Sequence, residues 1–239
     1  MTSAIMSGMI DPVTAPLPPL LMPTGPGQSD LLIHFCGRRE NSLFTPDVPA
    51  DIREMNPEQR LDAILTSQSI RAFTPFRAHV PAVCLSESPG LHLVHMIRDR
   101  GMLPWGILLR RSDVIAAGGG GIAYPPDAVH EQWPTDIQVW GNPIRNDGRA
   151  LMDFSWEREW RIPVPGGAFF LQPQAVAAIL VGDQDWTPTP VATEWVNGYT
   201  GEPLPGPSVP EAIALPHYPE AWTNAVRLYW DGTTVVHIQ

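Results

Sequence analysis

Cysteine is scarce in this chain, with only Cys36 and Cys84 among 239 residues. Two cysteines cannot build the disulfide framework of a small secreted domain, and their spacing excludes a CxxC metal knuckle. Disulfides persist mainly in oxidising compartments. The cysteine count therefore predicts a cytoplasmic protein.

Long apolar runs are missing as well. No stretch approaches the ~20 apolar residues that a membrane-spanning helix needs. The first 29 residues have no basic n-region and are interrupted by prolines, which argues against a signal peptide. We expect no membrane association, and we interpret residues 1–29 as a Pro-rich leader that is poorly ordered or draped over the domain.

Positive charge is the third shortage. Lys and Arg total 15 against 25 Asp and Glu, so the formal net charge is −10. This balance argues against a protein that holds nucleic acid through bulk electrostatics, but it leaves room for a local basic groove. It favours a protein target or a neutralising partner protein.

Proline, by contrast, is abundant. The chain has 28 prolines, where a usual share would give about 12. Many turns and few long helices follow, because proline interrupts helices. The length suits one large domain, which we place at residues 30–239.

The apolar pattern predicts an α+β domain with helices near the start and mostly strands later. The predicted strands are LLIHFC (31–36), PAVCLSES (81–88), WGILLRRSDVI (105–115), EREWRIPV (157–164) and AVAAILVG (175–182). The predicted helices are NPEQRLDAILTSQSI (56–70), capped by Asn56, and LHLVHMIRDRG (91–101). Residues 183–213 contain no predicted regular element. LYWDGTTVVHI (228–238) predicts a hairpin around Asp231-Gly232.

Three familiar motifs are incomplete. GGGG (118–121) lacks the lysine and hydroxyl of a phosphate loop, so we interpret it as a tight crossing between strands. His92 and His95 have no third ligand nearby in sequence, and no metal site is expected. Ser86 and Ser88 lack the GxSxG context of a hydrolase nucleophile.

The stretch DFSWEREWRIPVPGG (153–167) concentrates charge in an otherwise apolar region. In a strand, Glu157, Glu159 and Arg161 would share one face, with the two carboxylates roughly 6–7 Å apart. Such a pair is either a solvated edge with ion pairs or half of an active site. His34, in the middle of LLIHFC, is likewise either a core histidine with both ring nitrogens satisfied or a ligand-binding residue.

The order of LIHFC, RLDAILTSQSIRA, VCLSESP, GILLRRSDVIAAGGGGIAY and DFSWEREWRIP resembles a group of bacterial ADP-ribosyltransferases. The group includes DNA-targeting toxins and abortive-infection proteins of phage defence. Its early strand carries a histidine and its late strand carries the catalytic glutamate. The resemblance spans residues 31–182 and implies an ADP-ribosyltransferase-like split β-sheet core. Cys36 stands where the group has threonine, and Gln68-Ser69 replace its helix-ending glycine.

The resemblance implies that NAD is the substrate. Cleavage of its nicotinamide–ribose bond passes through an oxocarbenium-like state, which a carboxylate stabilises. The resemblance assigns that role to Glu159, and Glu157 would orient the acceptor or take its proton. His34 would bond a ribose hydroxyl and hold the dinucleotide in a bent pose.

The supporting roles are also implied by the resemblance. Ser86 would hydrogen-bond to Glu159, and Arg71 or Arg77 would meet the pyrophosphate. The nearest candidate for the aromatic residue that stacks on nicotinamide is Tyr124. Phe73 and Phe76 are the alternatives.

Two functions follow. The first is an NAD-dependent ADP-ribosyltransferase that acts as a toxin or phage-defence effector on a nucleic acid (DNA or RNA) or on a protein, with an antitoxin as its partner. The second is a non-catalytic relative that acts as a sensor, antitoxin or interaction protein. The joint presence of His34, Glu157 and Glu159 favours the first.

Overall fold

The computed structural model describes residues 21, 27–39, 48–146, 148 and 151–238. The strands in chain order are β1 Leu31–Phe35, β2 Ser69–Arg71, β3 Ala82–Glu87, β4 Gly106–Arg110, β5 Gly120–Gly121, β6 Arg145–Asn146, β7 Leu151–Met152, β8 Glu159–Pro163, β9 Ala168–Phe170, β10 Val176–Val181, β11 Ala192–Asn197, β12 Pro203–Leu204, β13 Ala212–His217, β14 Val226–Trp230 and β15 Val235–Ile238. The helices are α1 Ala50–Glu54, α2 Pro57–Ser67, α3 Gly90–Arg98, α4 Arg111–Ala116, α5 Asp127–His130 and α6 Glu220–Asn224.

The main sheet has eight strands in the order β15-β14-β10-β4-β1-β3-β8-β5. Its neighbours are antiparallel except for β10 and β14, which are parallel. The remaining strands form one three-stranded and two two-stranded sheets. The predicted α+β class is confirmed as a large mixed sheet with few helices.

Apolar layers cover both faces of the main sheet. One layer joins α2 and α6 to the sheet through residues that include Leu32, Leu61, Leu65, Ile107, Ile179 and Trp222. The other joins α3 to the opposite face through residues that include Ile33, Leu93, Ile97, Leu108, Leu180 and Leu228. Successive residues such as Leu32 and Ile33 enter different layers, because side chains alternate across a strand.

Helix α2 begins where its sequence predicts. The Asn56 side chain accepts a hydrogen bond from the Gln59 amide at 2.8 Å, and the Gln59 side chain accepts one from the Asn56 amide at 2.9 Å. This reciprocal capping box satisfies two backbone donors that a helix start leaves unpaired. Pro57 occupies the first helical turn, where its missing N–H has no consequence.

The C-terminal hairpin is also confirmed. Strands β14 and β15 pair in antiparallel fashion on either side of the Asp231-Gly232 turn. The Asp231 carboxylate accepts hydrogen bonds of 2.8 Å from the amides of Thr233 and Thr234. Gly232 has a φ of 97°, a left-handed conformation that glycine adopts without strain.

The predicted strand at residues 105–115 is only half correct. Strand β4 ends at Arg110, and α4 begins at the next residue. Arg110 pairs with Leu31, the first residue of β1, so the main sheet offers no further partner on that side. The Arg111 amide instead bonds to the carbonyl of Asp30 at 2.7 Å, and the chain turns into a helix.

The prediction that residues 183–213 lack regular structure is wrong. Strands β11, β12 and β13 form a three-stranded antiparallel sheet within residues 191–217, which we call the arm. No residue of the arm is buried. Proline and glycine in its connections obscured these strands.

The leader predicted for residues 1–29 lies outside the described residues, apart from positions 21 and 27–29. Leu21 is fully buried in the layer that contains α3. In the part of the chain that the structure describes, no helix has the length and apolarity to cross a membrane.

Candidate functional site

The predicted strand at residues 157–164 begins two residues late. Ser155–Glu157 form a 3-10 turn, and Arg158 takes a left-handed conformation with φ of 48° before β8 begins at Glu159. The Arg158 guanidinium hydrogen-bonds to the Gly27 carbonyl and lies 3.4 Å from a carboxylate oxygen of Glu87. Glu157 and Glu159 therefore do not share a strand face, and the separation predicted from strand geometry does not apply.

Glu159 is the buried anchor of the site, with 6% of its side chain exposed. Its Oε1 accepts from Arg161 Nε at 2.7 Å, and its Oε2 accepts from Arg161 Nη2 at 3.0 Å. Asn142 Nδ2 donates a third hydrogen bond to Oε2 at 3.2 Å. A bidentate arginine–carboxylate pair of this kind is geometrically specific, and both carboxylate oxygens of Glu159 are engaged.

Arg161 is held from a second direction. Its Nη1 donates to the carbonyls of Val139 at 2.8 Å and Gly141 at 3.0 Å. A Cβ at Gly141 would lie 2.5 Å from the His130 ring, so only glycine lets this loop approach so closely. The loop therefore closes over the buried ion pair and fixes its geometry.

Tyr124 lies directly beside Glu159. The Glu159 backbone amide donates to the Tyr124 hydroxyl oxygen at 2.7 Å. Burial, followed by the negative charge of Glu159, raises the pKa of Tyr124, although the hydrogen bond from the Glu159 amide lowers it. Tyr124 therefore keeps its proton, and its O–H is a hydrogen-bond donor at the site.

Glu157 differs from Glu159 in both burial and partners. Its side chain is 12% exposed, and its Oε1 accepts from Arg38 Nη2 at 2.9 Å. Burial raises the pKa of Glu157, and the charge of Glu159 adds to the rise, while Arg38 opposes it. A carboxylate whose pKa is raised in this way is a stronger proton acceptor than an ordinary exposed glutamate.

The raised pKa of Glu157 makes a prediction about stability. A carboxyl group with a higher pKa in the folded state than in the unfolded state destabilises the fold when ionised, and the penalty disappears as pH falls below the unfolded value. Replacing Glu157 by glutamine should therefore stabilise the protein at pH 7.5 and leave its stability unchanged near pH 3.5. Urea unfolding at the two pH values measures this.

Asp231 provides a control of opposite sign. Hydrogen bonds from the backbone of Thr234 and Thr233 lower the pKa of Asp231, so its ionised form stabilises the folded state above the unfolded pKa. Asp231→Ala should destabilise the folded state at pH 7.5, and this loss of stability should become smaller in acid. If Glu157→Gln behaved like Asp231→Ala, the Arg38 ion pair would outweigh the burial of Glu157.

His34 lies at the point where two strands separate. Strand β1 pairs with β3 at Leu32 and Ile33, and beyond these residues the imidazole Nδ1 donates to the Cys84 carbonyl at 2.9 Å. Burial lowers the pKa of His34, although the hydrogen bond to Cys84 opposes the shift. The ring is therefore neutral at pH 7, with Nε2 as an acceptor.

Cys84 connects His34 to the carboxylates. Burial, and then the nearby charge of Glu159, raises the pKa of the Cys84 thiol well above its usual value. The thiol stays protonated and is a poor nucleophile. The backbone of Cys84 thus bonds to His34, while its side chain neighbours Glu159.

Ser86 lies next to Glu159 through backbone pairing of β3 with β8. Arg161 and Asn142 donate hydrogen bonds to the Glu159 carboxylate, the Cys84 thiol neighbours it, and in the described ranges the Ser86 hydroxyl donates none. The predicted hydrogen bond from Ser86 to Glu159 is therefore not formed in this structure.

The two arginines predicted to meet the pyrophosphate lie in other surroundings. Arg71 is on β2 in a two-stranded sheet and pairs with Asp51 at 2.8 Å. Arg77 lies 3.2 Å from Asp127 and 3.4 Å from Glu131. Phe73 and Phe76, the alternatives to Tyr124, lie near these arginines. The guanidinium carbon of Arg71 is 5.8 Å from the centre of the Phe73 ring, and that of Arg77 is 5.9 Å from the centre of the Phe76 ring. None of these contacts involves Glu157 or Glu159.

Sequence reasoning gave no role to three residues of the site. Arg161 had a signal, because its i+2 spacing from Glu159 in a strand places both on one face. Arg38 and Asn142 had none, because their proximity depends on the paths of loops. No metal site was expected at His92 and His95. The His92 ring hydrogen-bonds to the Ser88 hydroxyl and the Trp156 carbonyl, and the His95 ring hydrogen-bonds to Asp99.

Comparisons with protein-family models, with curated proteins and with solved structures find no match to this chain. Throughout the described ranges, no three His, Cys, Asp or Glu side chains gather as potential metal ligands.

Proposed function

We propose that this protein is an NAD-dependent ADP-ribosyltransferase with a split-sheet core, acting as a toxin or phage-defence effector on a nucleic acid or protein acceptor. One observation carries the proposal. Glu157 is a largely buried carboxylate with a raised pKa, held by Arg38 and close enough to Glu159 for their charges to interact. Paired carboxylates in a desolvated setting suit a reaction that develops positive charge.

Glu157 and Arg38 each have a role in the proposed reaction. The bond between nicotinamide and ribose C1′ breaks, and nicotinamide leaves with the bonding electron pair. The acceptor's nucleophilic atom then forms a bond to C1′, and its proton passes to Glu157. Arg38 keeps Glu157 ionised until that transfer, because its positive charge favours the carboxylate form.

His34 and Tyr124 supply complementary hydrogen bonds. The Nε2 of neutral His34 can accept from a ribose hydroxyl, and the Tyr124 O–H can donate to an oxygen of the substrate. Both side chains belong to the neighbourhood of Cys84 and Glu159. Such contacts would hold the dinucleotide in a reactive pose.

Within this proposal, the geometry favours Glu157 over Glu159 as the reacting carboxylate. Glu159 already satisfies Arg161 and Asn142 and is nearly inaccessible. Glu157 has Arg38 on one oxygen and a larger exposed fraction. Glu159 then acts as a fixed negative charge that positions Arg161 and raises the pKa of Glu157.

The second candidate is a non-catalytic relative that acts as a sensor, antitoxin or interaction protein. The engagement of both Glu159 oxygens by Arg161 and Asn142 favours it, because a carboxylate locked in a buried ion pair has little capacity left for substrate. The two candidates differ in whether NAD is consumed.

Incubation of the purified protein with radiolabelled NAD and separate pools of DNA, RNA and cell-lysate protein tests the proposal. We expect label in one pool with the parent protein and none with Glu157→Gln. Arg227→Gln, on β14 near the opposite edge of the main sheet from β8, should transfer label as the parent does. Intact NAD in every pool, with no NAD binding by calorimetry, would instead support the non-catalytic candidate.

A further inference from the structure

The arm is a sheet without a core. None of residues 191–217 is buried, although β11 pairs with β13 along six residues of each strand. Small sheets are normally stable only when a hydrophobic face is covered. Exposed apolar side chains on the arm are Val191, Tyr199, Val209, Ile213 and Leu215. A formed sheet with this much uncovered apolar surface indicates an interaction site.

The register places part of this apolar surface beside an acid. Val196 pairs with Ile213, and Glu194 pairs with Leu215, so these four side chains share one face of the sheet. Ile213 and Leu215 are 50% and 43% exposed. A ligand that engages Glu194 would therefore also cover Leu215.

A cavity of about 470 Å³ opens on the arm next to this acid, and its walls include Glu194, Trp195 and Leu204. The Glu194 carboxylate beside this cavity suits a cationic side chain. The carboxylate supplies an ion pair, and the neighbouring Leu215 packs against the methylene stem of the guest. Glu194 also lies 3.2 Å from His217, which leaves its other oxygen for a guest.

The charge distribution selects the partner. Residues 183–226 contain six acidic residues and no lysine or arginine, a formal charge of −6 out of −10 for the chain. Within the arm the acids are Glu194, Glu202 and Glu211. Self-association through the arm would bring like charges together, which opposes it. Charge complementarity instead favours a basic partner.

We propose that the arm is a docking surface for a basic partner protein, which places an arginine or lysine side chain beside Glu194 and covers Leu215 and Ile213 with apolar residues. This inference does not depend on the proposed enzymatic function.

Calorimetric titration of the full chain with a synthetic peptide of alternating arginine and valine tests the proposal. The peptide should bind at low salt and bind more weakly at high salt, and its glutamate–valine counterpart should not bind. Glu194→Gln and Leu215→Ser should each weaken binding by about tenfold or more, a loss of about 1.4 kcal/mol. Glu202→Gln, on the same arm but outside the cavity walls, should change affinity less than twofold.

Three results would overturn the proposal. The peptide could fail to bind, or Glu202→Gln could weaken binding as much as Glu194→Gln, which would show attraction to bulk charge alone. Sedimentation could also reveal a homodimer that Leu215→Arg dissociates, which would make a second copy the occupant. Circular dichroism of each variant checks that the sheet is retained.

Discussion

Replacing Arg161 by methionine is expected to lower the free energy of unfolding by about 3–5 kcal/mol, because it leaves the Glu159 carboxylate buried without its partner. The two side chains are 1% and 6% exposed, so solvent cannot replace the lost hydrogen bonds. The carbonyls of Val139 and Gly141 lose their donor as well. Urea denaturation at pH 7.5 measures the change.

Two further variants identify the cause of the destabilisation by Arg161→Met. The double variant Glu159→Leu/Arg161→Met removes both charges and should recover most of the lost stability, since apolar replacement of a buried pair is often close to neutral. Arg71→Met breaks an exposed pair with Asp51 and should change stability little. A double variant as unstable as Arg161→Met would mean that packing of the arginine, rather than its pairing, holds the loop.

Glu157→Gln should reduce ADP-ribosyl transfer by about 10²–10⁴-fold, the usual contribution of a positioned acid–base group. Glutamine keeps the shape of the side chain but cannot accept the acceptor's proton. The midpoint of urea unfolding should not fall, because burial already penalises the charge of Glu157. Single-turnover transfer with saturating labelled NAD measures the chemical step.

Glu159→Gln distinguishes the role of Glu159 from that of Glu157. It should lower transfer and stability together, because Arg161 loses its counter-charge. Glu159→Gln could instead abolish transfer without changing stability, while Glu157→Gln keeps its activity. Glu159 would then be the reacting carboxylate, and Glu157 would be a neighbouring charge without a direct role. The pair of variants therefore decides the assignment whichever way it falls.

The features that sequence predicted well depend on short-range interactions. Asn56 caps α2 through Gln59, three residues away, and Asp231 closes the hairpin through Thr233 and Thr234. The buried strands β1, β3 and β10 also lie where continuous apolar runs predicted them. In each case the deciding contacts are local, or the apolar run is long enough to require burial.

The failures depend on long-range geometry. Alternation around Glu157 predicted a strand, but Arg158 adopts a left-handed conformation and bonds to Gly27, 131 residues earlier. Asn142 meets Glu159 only because the loop around Gly141 folds back over Arg161. The arm was missed because its side chains are exposed, and an apolar periodicity cannot be seen where nothing is buried.

The acidic character of the arm also determines which proteases can cut it. Every cationic residue of the chain is an arginine, and none occurs between Arg161 and Arg227. Trypsin therefore leaves residues 162–227 as one peptide, whether or not the arm is covered. A glutamate-specific protease meets Glu194, Glu202 and Glu211 on an unburied sheet, where cleavage depends on local exposure. Digestion after glutamate thus reports directly on whether the arm is covered.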